Sequence, residues 1–328
     1  VNVPHPIPYQ GSKRHLAAAI LDSFPDDVAT LIEPFAGSAA VTLAAAARNL
    51  ANRHLLNDLN RPLVDLWRAI IDSPFWLADQ YRKLWAVEPG HLGRHYHQVR
   101  DRFNLTGRPD HLLYLLARCV KAAVRYNVRG RFNQSPDHRR RGTLPCRMRE
   151  QILAASRLLR GRTVCLALDY KTVLARAGRD DLIYLDPPYQ GVSSGGDPRY
   201  LQSVPFQELV AVLESLNARS LSYLVSYDGT TGGRAHGQFL PENLRLRRVG
   251  LECGRSSQAT LLGRVEQTVE SLYVSPALVD RLRLRRSARR RAAAWFLKNS
   301  CRTLARQRLA DGRGDAPVAH PEPAILHS

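Results

Sequence analysis

The residues best placed to do chemistry stand in one short run, Leu182-Ile183-Tyr184-Leu185-Asp186-Pro187-Pro188-Tyr189. Its first half is apolar and partly β-branched, the pattern of a short buried strand, and that strand runs straight into a carboxylate, two prolines and an aromatic ring. An acid so placed sits at the carboxyl end of a strand, where open α/β sheets bind their ligands. Proline has no N–H and a fixed φ, so the carbonyls at this point are left without ladder partners. The Asp186 carboxylate and the Pro187 carbonyl would then form a rigid pair of acceptors beside the face of Tyr189. Such a pair suits a planar group bearing an NH2: two acceptors take its two hydrogens, and the ring stacks on the base that carries it. Taken alone, Asp186 to Tyr189 also read as an ordinary strand-ending turn, so the rest of the chain has to decide.

Three further stretches are spaced to build a site around that strand. Tyr9-Gln10-Gly11-Ser12-Lys13 precedes an apolar stripe at Leu16, Ile20 and Leu21. Gly11 permits a tight turn and Ser12 can cap the following helix, so that Tyr9 and Lys13 project from a helix start. Thr30 to Val41 reads as a strand, a small-residue turn (Glu33-Pro34-Phe35-Ala36-Gly37) and a helix through the alanines near position 45. A second strand, His54-Leu55-Leu56, ends in Asn57-Asp58 about twenty residues after that turn, the spacing at which an acid reaches the ribose hydroxyls of a nucleotide-type ligand. Only one glycine stands in the turn, so the dinucleotide fingerprint is not met. This argues against a pyrophosphate and leaves room for an adenosine ligand without phosphates.

From Pro62 to about Glu150 the pattern is helical, with Leu63, Leu66 and Ile70 on one stripe and Leu112, Leu113, Leu116 and Val120 on another. Between two of these helices lie Arg125-Tyr126-Asn127-Val128-Arg129-Gly130-Arg131-Phe132-Asn133-Gln134 and then Asp137-His138-Arg139-Arg140-Arg141. Basic residues interleaved with aromatics and amides are what contact with bases and phosphates requires, although a solvated basic loop has the same composition. Alternation of helix and strand then resumes: a helix over 148–159, a strand over 164–168 ending in Asp169, the Asp186 strand, a helix over 206–216, a strand over 222–226 ending in Tyr227-Asp228-Gly229, and a late strand over 270–274.

Composition narrows the partner. Lys and Arg number 48 against 29 acids, a net charge of +19 with a pI near 10.4, which points to a polyanion, nucleic acid before membrane surface. The stretch from Asp280 to Asp315 holds twelve basic residues and three acids, and so contributes close to half of that charge. No apolar run approaches the length of about eighteen residues that spans a bilayer, and the first residues are not signal-like. A cytoplasmic protein without membrane association is expected. The five cysteines are scattered with no C-x-x-C pair, so reduced, mostly buried thiols are expected. His91, His95 and His97 lack cysteine or carboxylate partners at ligand spacing, and no metal site is assigned to them.

Laid out together, Tyr9 to Lys13, Glu33 to Gly37, Asn57-Asp58, Arg125 to Asn133 and Asp186 to Tyr189 resemble, in order, the motifs of the Dam-like (D12) class of DNA adenine methyltransferases. The resemblance implies a Rossmann-like α/β sheet with helices on both faces and S-adenosylmethionine as cofactor. It implies cofactor contacts from Tyr9, Lys13, Glu33, Phe35, Gly37, Asp58 and Asp186, and from Asp169 near the cofactor's adenine. Asp186, Pro187 and Tyr189 would hold a flipped-out target adenine, and Arg125, Tyr126, Asn127, Arg129, Arg131, Asn133, Arg139 and Arg140 would contact double-stranded DNA. Residues 1–61 and 151–276 would form the catalytic domain, 62–150 a helical target-recognition insertion and 277–328 a basic extension that the resemblance does not cover. A monomer is expected, with a cognate restriction endonuclease as a candidate partner. Ala39 stands where many methyltransferases have a second glycine. Two alternatives share these features: an inactive DNA-binding protein of the same fold, and a methyltransferase for RNA or for the cytosine amine.

Overall fold

A computed structural model describes residues 2–139, 141–188, 204–231, 234–236, 238–255 and 267–284. Tyr189, Arg140, Cys301 and the Arg-rich tail from 285 onward lie outside the described residues. A 3-10 turn at Lys13–His15 and helix α1 (Ala17–Leu21) lead into β1 (Val28–Glu33), α2 (Ala40–Ala47) and β2 (Ala51–Asn57). Then come α3 (Arg61–Asp72), α4 (Pro74–Trp85), α5 (Leu92–Thr106), α6 (Pro109–Arg118) and α7 (Pro145–Leu159). Proline at the first turn of α3, α4, α6 and α7 explains where these helices begin, because the missing N–H is one that has no intrahelical partner there. The chain continues through β3 (Thr163–Leu166), α8 (Tyr170–Leu174), β4 (Leu182–Leu185), α9 (Phe206–Ala218), β5 (Tyr223–Thr231), β6 (Arg234–His236), β7 (Arg247–Arg255) and β8 (Gln267–Val274).

Seven strands run side by side in the order β3-β2-β1-β4-β5-β8-β7, and β6 pairs with β5. The first five are parallel, whereas β8 is antiparallel to both β5 and β7. Alternate residues of the central strands face opposite layers. Leu31, Leu182 and Tyr184 pack with α1 and α2, while Ile32, Ile183 and Leu185 pack with α8 and α9. The direction of winding reverses between β1 and β4, and in such sheets the ligand crevice opens at the carboxyl ends of the two strands that flank the reversal.

The helical segment is not a body of its own. Trp67, Tyr81, Tyr96, Phe103, Leu112 and Ile152 share one buried cluster with Leu43 of α2 and Leu56 of β2, and residues 1–282 pack as one compact unit. A helical stretch over 276–282 closes that unit. Leu278 is buried in it, and Arg281 donates to the Asp27 side chain at 3.0 Å and to the carbonyls of Asp27 and Asp180 at 3.0 and 3.2 Å, at the amino ends of β1 and β4. Of the thiols expected to be buried, Cys119 is, Cys165 is half-buried, and Cys146 is exposed in the first turn of α7, where solvent rather than core covers that face. Among the described residues no helix is long and apolar enough to cross a membrane, and no group of side chains could hold a metal ion.

Candidate active site at the carboxyl edge of the sheet

Glu33, the last residue of β1, is 3% exposed and accepts hydrogen bonds from the amide and hydroxyl of Thr42 in α2. Burial raises its pKa to about 8, against the pull of the two Thr42 donors, and the charge of nearby Asp186 pushes the same way as burial. Glu33 is therefore mostly protonated at neutral pH. The turn that follows brings Gly37 to a positive φ of 47°. It is held on three sides: its N–H donates to Asp58 Oδ2 at 3.1 Å, its carbonyl accepts from the Trp67 indole at 2.9 Å, and a Cβ built on it would lie 3.1 Å from the Tyr9 ring. Glycine is favoured here by the positive φ, and a Cβ would make the Tyr9 ring give by a few tenths of an ångström. Ala39 adopts the left-handed conformation without being glycine, at φ 46°, and is fully buried.

Asn57 and Asp58 end β2 and divide the work between them. The Asn57 amide donates to the carbonyls of Pro34 and Leu168, and its Oδ1 accepts from the Leu168 N–H, each at 3.0 Å. It thereby ties together the ends of β1, β2 and β3. Asp58 faces the Gly37 turn and accepts a second bond from Asn60 N–H at 2.9 Å; burial raises its pKa, opposed by those two amides. Phe35 rests against Tyr170, with ring centroids 5.0 Å apart. Asp169 is exposed and caps α8, its Oδ1 accepting the Lys171 N–H at 2.8 Å, so that one of its oxygens is already engaged.

Ser12, expected to cap a helix, makes no cap bond; it accepts instead from the Ser38 hydroxyl at 2.7 Å, which joins the amino-terminal turn to the Gly37 loop. Lys13 is 8% exposed, and its ammonium lies 2.9 Å from Asp186 Oδ1 and 3.5 Å from Glu270 Oε2. Asp186 follows the last residue of β4, with buried Pro187 after it. One edge of the sheet thus gathers Tyr9, Lys13, Glu33, Gly37, Asp58 and Asp186 from four separate stretches of chain.

The basic segment forms a hairpin. Asn127 Oδ1 accepts the amides of Arg129 and Arg131, both at 3.0 Å, around Gly130 at φ 69°. Asn104 of α5 clamps Phe132 through its N–H and carbonyl at 2.7 and 3.0 Å. Arg129, Arg131 and Asn133 are exposed, and with Arg100 and Asn127 they line a cleft of about 350 Å³; Arg125 lines a second cleft with Gln10, Lys121 and Gln134. Tyr126 points inward instead: its hydroxyl donates to Asn60 Oδ1 at 3.1 Å, its ring packs edge-on against Phe132, and burial pushes its pKa up to about 12. Arg139 is exposed and paired with buried Asp137.

A family model for the D12 class N6 adenine-specific DNA methyltransferases matches residues 9–238. The chain belongs to this family. As a D12-class methyltransferase it is an enzyme that methylates adenine N6 in DNA. It is 26% identical over 238 residues to the retron Ec67 DNA adenine methylase of Escherichia coli, covering 70% of this chain and 80% of the relative. It is 27% identical over 215 residues to the DNA N-6-adenine-methyltransferase of Escherichia phage P1, covering 61% of this chain and 26% of that protein. With the DNA adenine methylase of Haemophilus influenzae it shares 26% identity over 185 residues, 55% of this chain and 62% of the relative.

Three residues that touch this candidate site carry no local signal: Trp67, Asn60 and Glu270 arrive through helix packing, a loop bond and strand pairing respectively. On the opposite face of β8, Asp228 sits where β5 bulges between Ser226 and Gly229, at φ 53°. Its buried carboxylate accepts from the Tyr273 hydroxyl, which burial and that same carboxylate hold well above the ordinary tyrosine range, and Arg248 lies 3.3 Å away. The run Tyr227-Asp228-Gly229 was visible as a strand end, but its partners on β7 and β8 were not.

Proposed function

We propose that the crevice between β1 and β4 takes S-adenosylmethionine together with a flipped-out adenine of duplex DNA, and that Asp186 and Pro187 present the adenine amine to the methyl group. The observation that carries this reading is the convergence of the Gly37 turn, Asp58 and the Lys13–Asp186 pair on one strand-end edge. The donor set fits the cofactor. A single-glycine turn packed under Tyr9 offers backbone at close range with no second glycine for a pyrophosphate, and Asp58 offers a half-buried carboxylate for ribose hydroxyls. Tyr9, Lys13, Glu33, Phe35, Gly37 and Asp58 would hold it, and Asp169 keeps one carboxylate oxygen for its adenine. When bound, this cofactor supplies an electrophilic methyl group on a sulfonium.

The chain's own residues do the rest by positioning and charge. Adenine's exocyclic amine is a weak nucleophile because its lone pair is delocalised into the ring. Acceptance of its two hydrogens by the Asp186 carboxylate and the Pro187 carbonyl favours a pyramidal nitrogen with a directed lone pair. As the nitrogen gains positive charge, the Asp186 carboxylate stabilises it and takes the proton that leaves. Extrusion of the base costs a few kcal/mol, and stacking on Tyr189 offsets about 1–3 kcal/mol of that. The exposed arginines and amides of the 125–133 hairpin, with Arg139 and Arg140, contact the duplex and select the site.

The test is methyl transfer from labelled S-adenosylmethionine to unmethylated duplex DNA. Asp186→Ala is expected to lower the rate by about 100-fold or more while DNA affinity stays near that of the wild type, since no phosphate contact is removed. A variant that keeps most of the wild-type rate would sink the role given to Asp186.

A further inference from the structure

Glu270 lies on β8, a strand that holds none of the motifs, yet it reaches the reacting edge. Strand geometry explains how. Glu270 alternates with Ser271 and Tyr273, so these point to opposite faces. Tyr273 and Ser271 meet the Asp228–Arg248 pair on one face, while Glu270, on the face of Leu272, meets Lys13 on the other. The register holds it there, with Glu270 opposite Gly229 of β5 and Leu251 of β7. A side chain on Gly229 would run into the Val269 carbonyl at 2.8 Å, so this approach of β5 to β8 depends on the glycine. Among the described residues Glu270 Oε2 is shielded from solvent and receives no hydrogen bond, and the Lys13 ammonium at 3.5 Å is a counter-charge beside it.

We infer that Glu270 is a positioning residue for methyl transfer: it shares the Lys13 ammonium with Asp186 and so keeps Asp186 available as an acceptor. This rests on the reading of Asp186 given above. Lys13 stands 2.9 Å from one carboxylate and 3.5 Å from the other, so Coulomb's law makes its interaction energy with Glu270 about four-fifths of that with Asp186. Without Glu270 the ammonium would be drawn further onto Asp186. It would compete with the adenine amine for the carboxylate oxygens, and it would move toward the space the amine must occupy. The shared arrangement also sets the local charge. Lys13, Asp186 and Glu270 together sum to a charge of −1, with Glu33 mostly protonated at neutral pH, and that excess lies beside the atom that becomes positive.

The experiment is steady-state kinetics of the full-length chain with Glu270→Gln and Glu270→Asp, and with Glu270→Gln combined with Lys13→Gln. Gln keeps the shape of Glu270, removes its charge and leaves one acceptor oxygen. Expected for Glu270→Gln is a fall in kcat of about 10–100-fold, the scale on which a misplacement of about 1 Å acts, with KM for DNA and for the cofactor and the melting temperature little changed. Glu270→Asp should recover part of the loss. In the double variant the added effect of Glu270→Gln should largely vanish, because the charge it acts through is gone. A kcat equal to wild type in Glu270→Gln, or the same loss whether or not Lys13 is present, would overturn the inference. Wild-type protein is run alongside: no turnover by it would overturn the methylation reading itself, whereas an active wild type with an indifferent Glu270→Gln overturns only the role of Glu270.

Discussion

At the scale of single residues, the candidate site sets carboxyl groups in different surroundings. Glu33 is held as an acid at neutral pH by burial, whereas Asp186 is paired with an ammonium. The raised pKa of Glu33 has a consequence for stability. A carboxyl whose folded pKa of about 8 exceeds its unfolded value of 4.5 contributes stability that is present below pH 4.5 and is lost as the pH rises through 8. Glutamine cannot ionise and can accept the same Thr42 bonds. Over that window the wild type should therefore lose stability relative to Glu33→Gln, by up to about 1.4 kcal/mol for each pH unit. Thermal melts of both proteins at several pH values check this, and parallel curves would refute it. The placement of Asp186, Gly37 and Asp58 at strand ends and in a turn was legible in the sequence, because each stands in a short run whose spacing marks it. Glu270, Asn60 and Trp67 were not, because each side chain meets the site through a contact between elements far apart in the chain.

At the scale of elements, the strand ends are fastened to one another by side chains rather than by the ladder alone. Asn57 is the main fastener, spanning the ends of three strands with three hydrogen bonds. Asn57→Ala would leave the buried Pro34 carbonyl and both main-chain groups of Leu168 without partners, at a cost of about 2–4 kcal/mol. A urea titration should show a lower midpoint with an unchanged slope; an unchanged midpoint would mean that the clamp is not needed. The parallel strands and the helices between them could be read from the sequence, since strands buried on both faces are short apolar runs and proline marks the helix starts. β6 and β7 escaped notice. β7 begins Arg247-Arg248 and carries Gly250 and Glu252, the polar character expected of a strand at a sheet edge, so it has no apolar run to announce it. The helical segment was legible as helices, but its continuity with the α2 and β2 core was not, because the same apolar stripe serves whether it faces a neighbouring helix or a sheet.

At the scale of the whole molecule, the folded unit ends later than the motifs do. A cut after Pro276 would remove buried Leu278 and the Arg281 latch on Asp27 and Asp180, and so would injure the fold along with the tail. A cut after Leu282 spares both. That truncation should leave turnover on saturating DNA unchanged, weaken DNA binding and flatten the dependence of log affinity on log salt by about 0.9 for each phosphate that the tail no longer neutralises. Equal salt slopes for the truncated and full-length proteins would show that the basic tail does not touch DNA.

The place of β8 in the sheet bears on the order in which the protein is made. This strand lies between β5 and β7 and is the last of the described strands to leave the ribosome, yet it brings Glu270 to Lys13 on one face and Tyr273 to Asp228 on the other. Until residue 274 has emerged, β5 has a bare edge and Lys13 faces Asp186 without its second carboxylate. A nascent chain can therefore hold every motif of the family while its sheet is unfinished, and in that interval the edge of β5 is open to pairing with another chain.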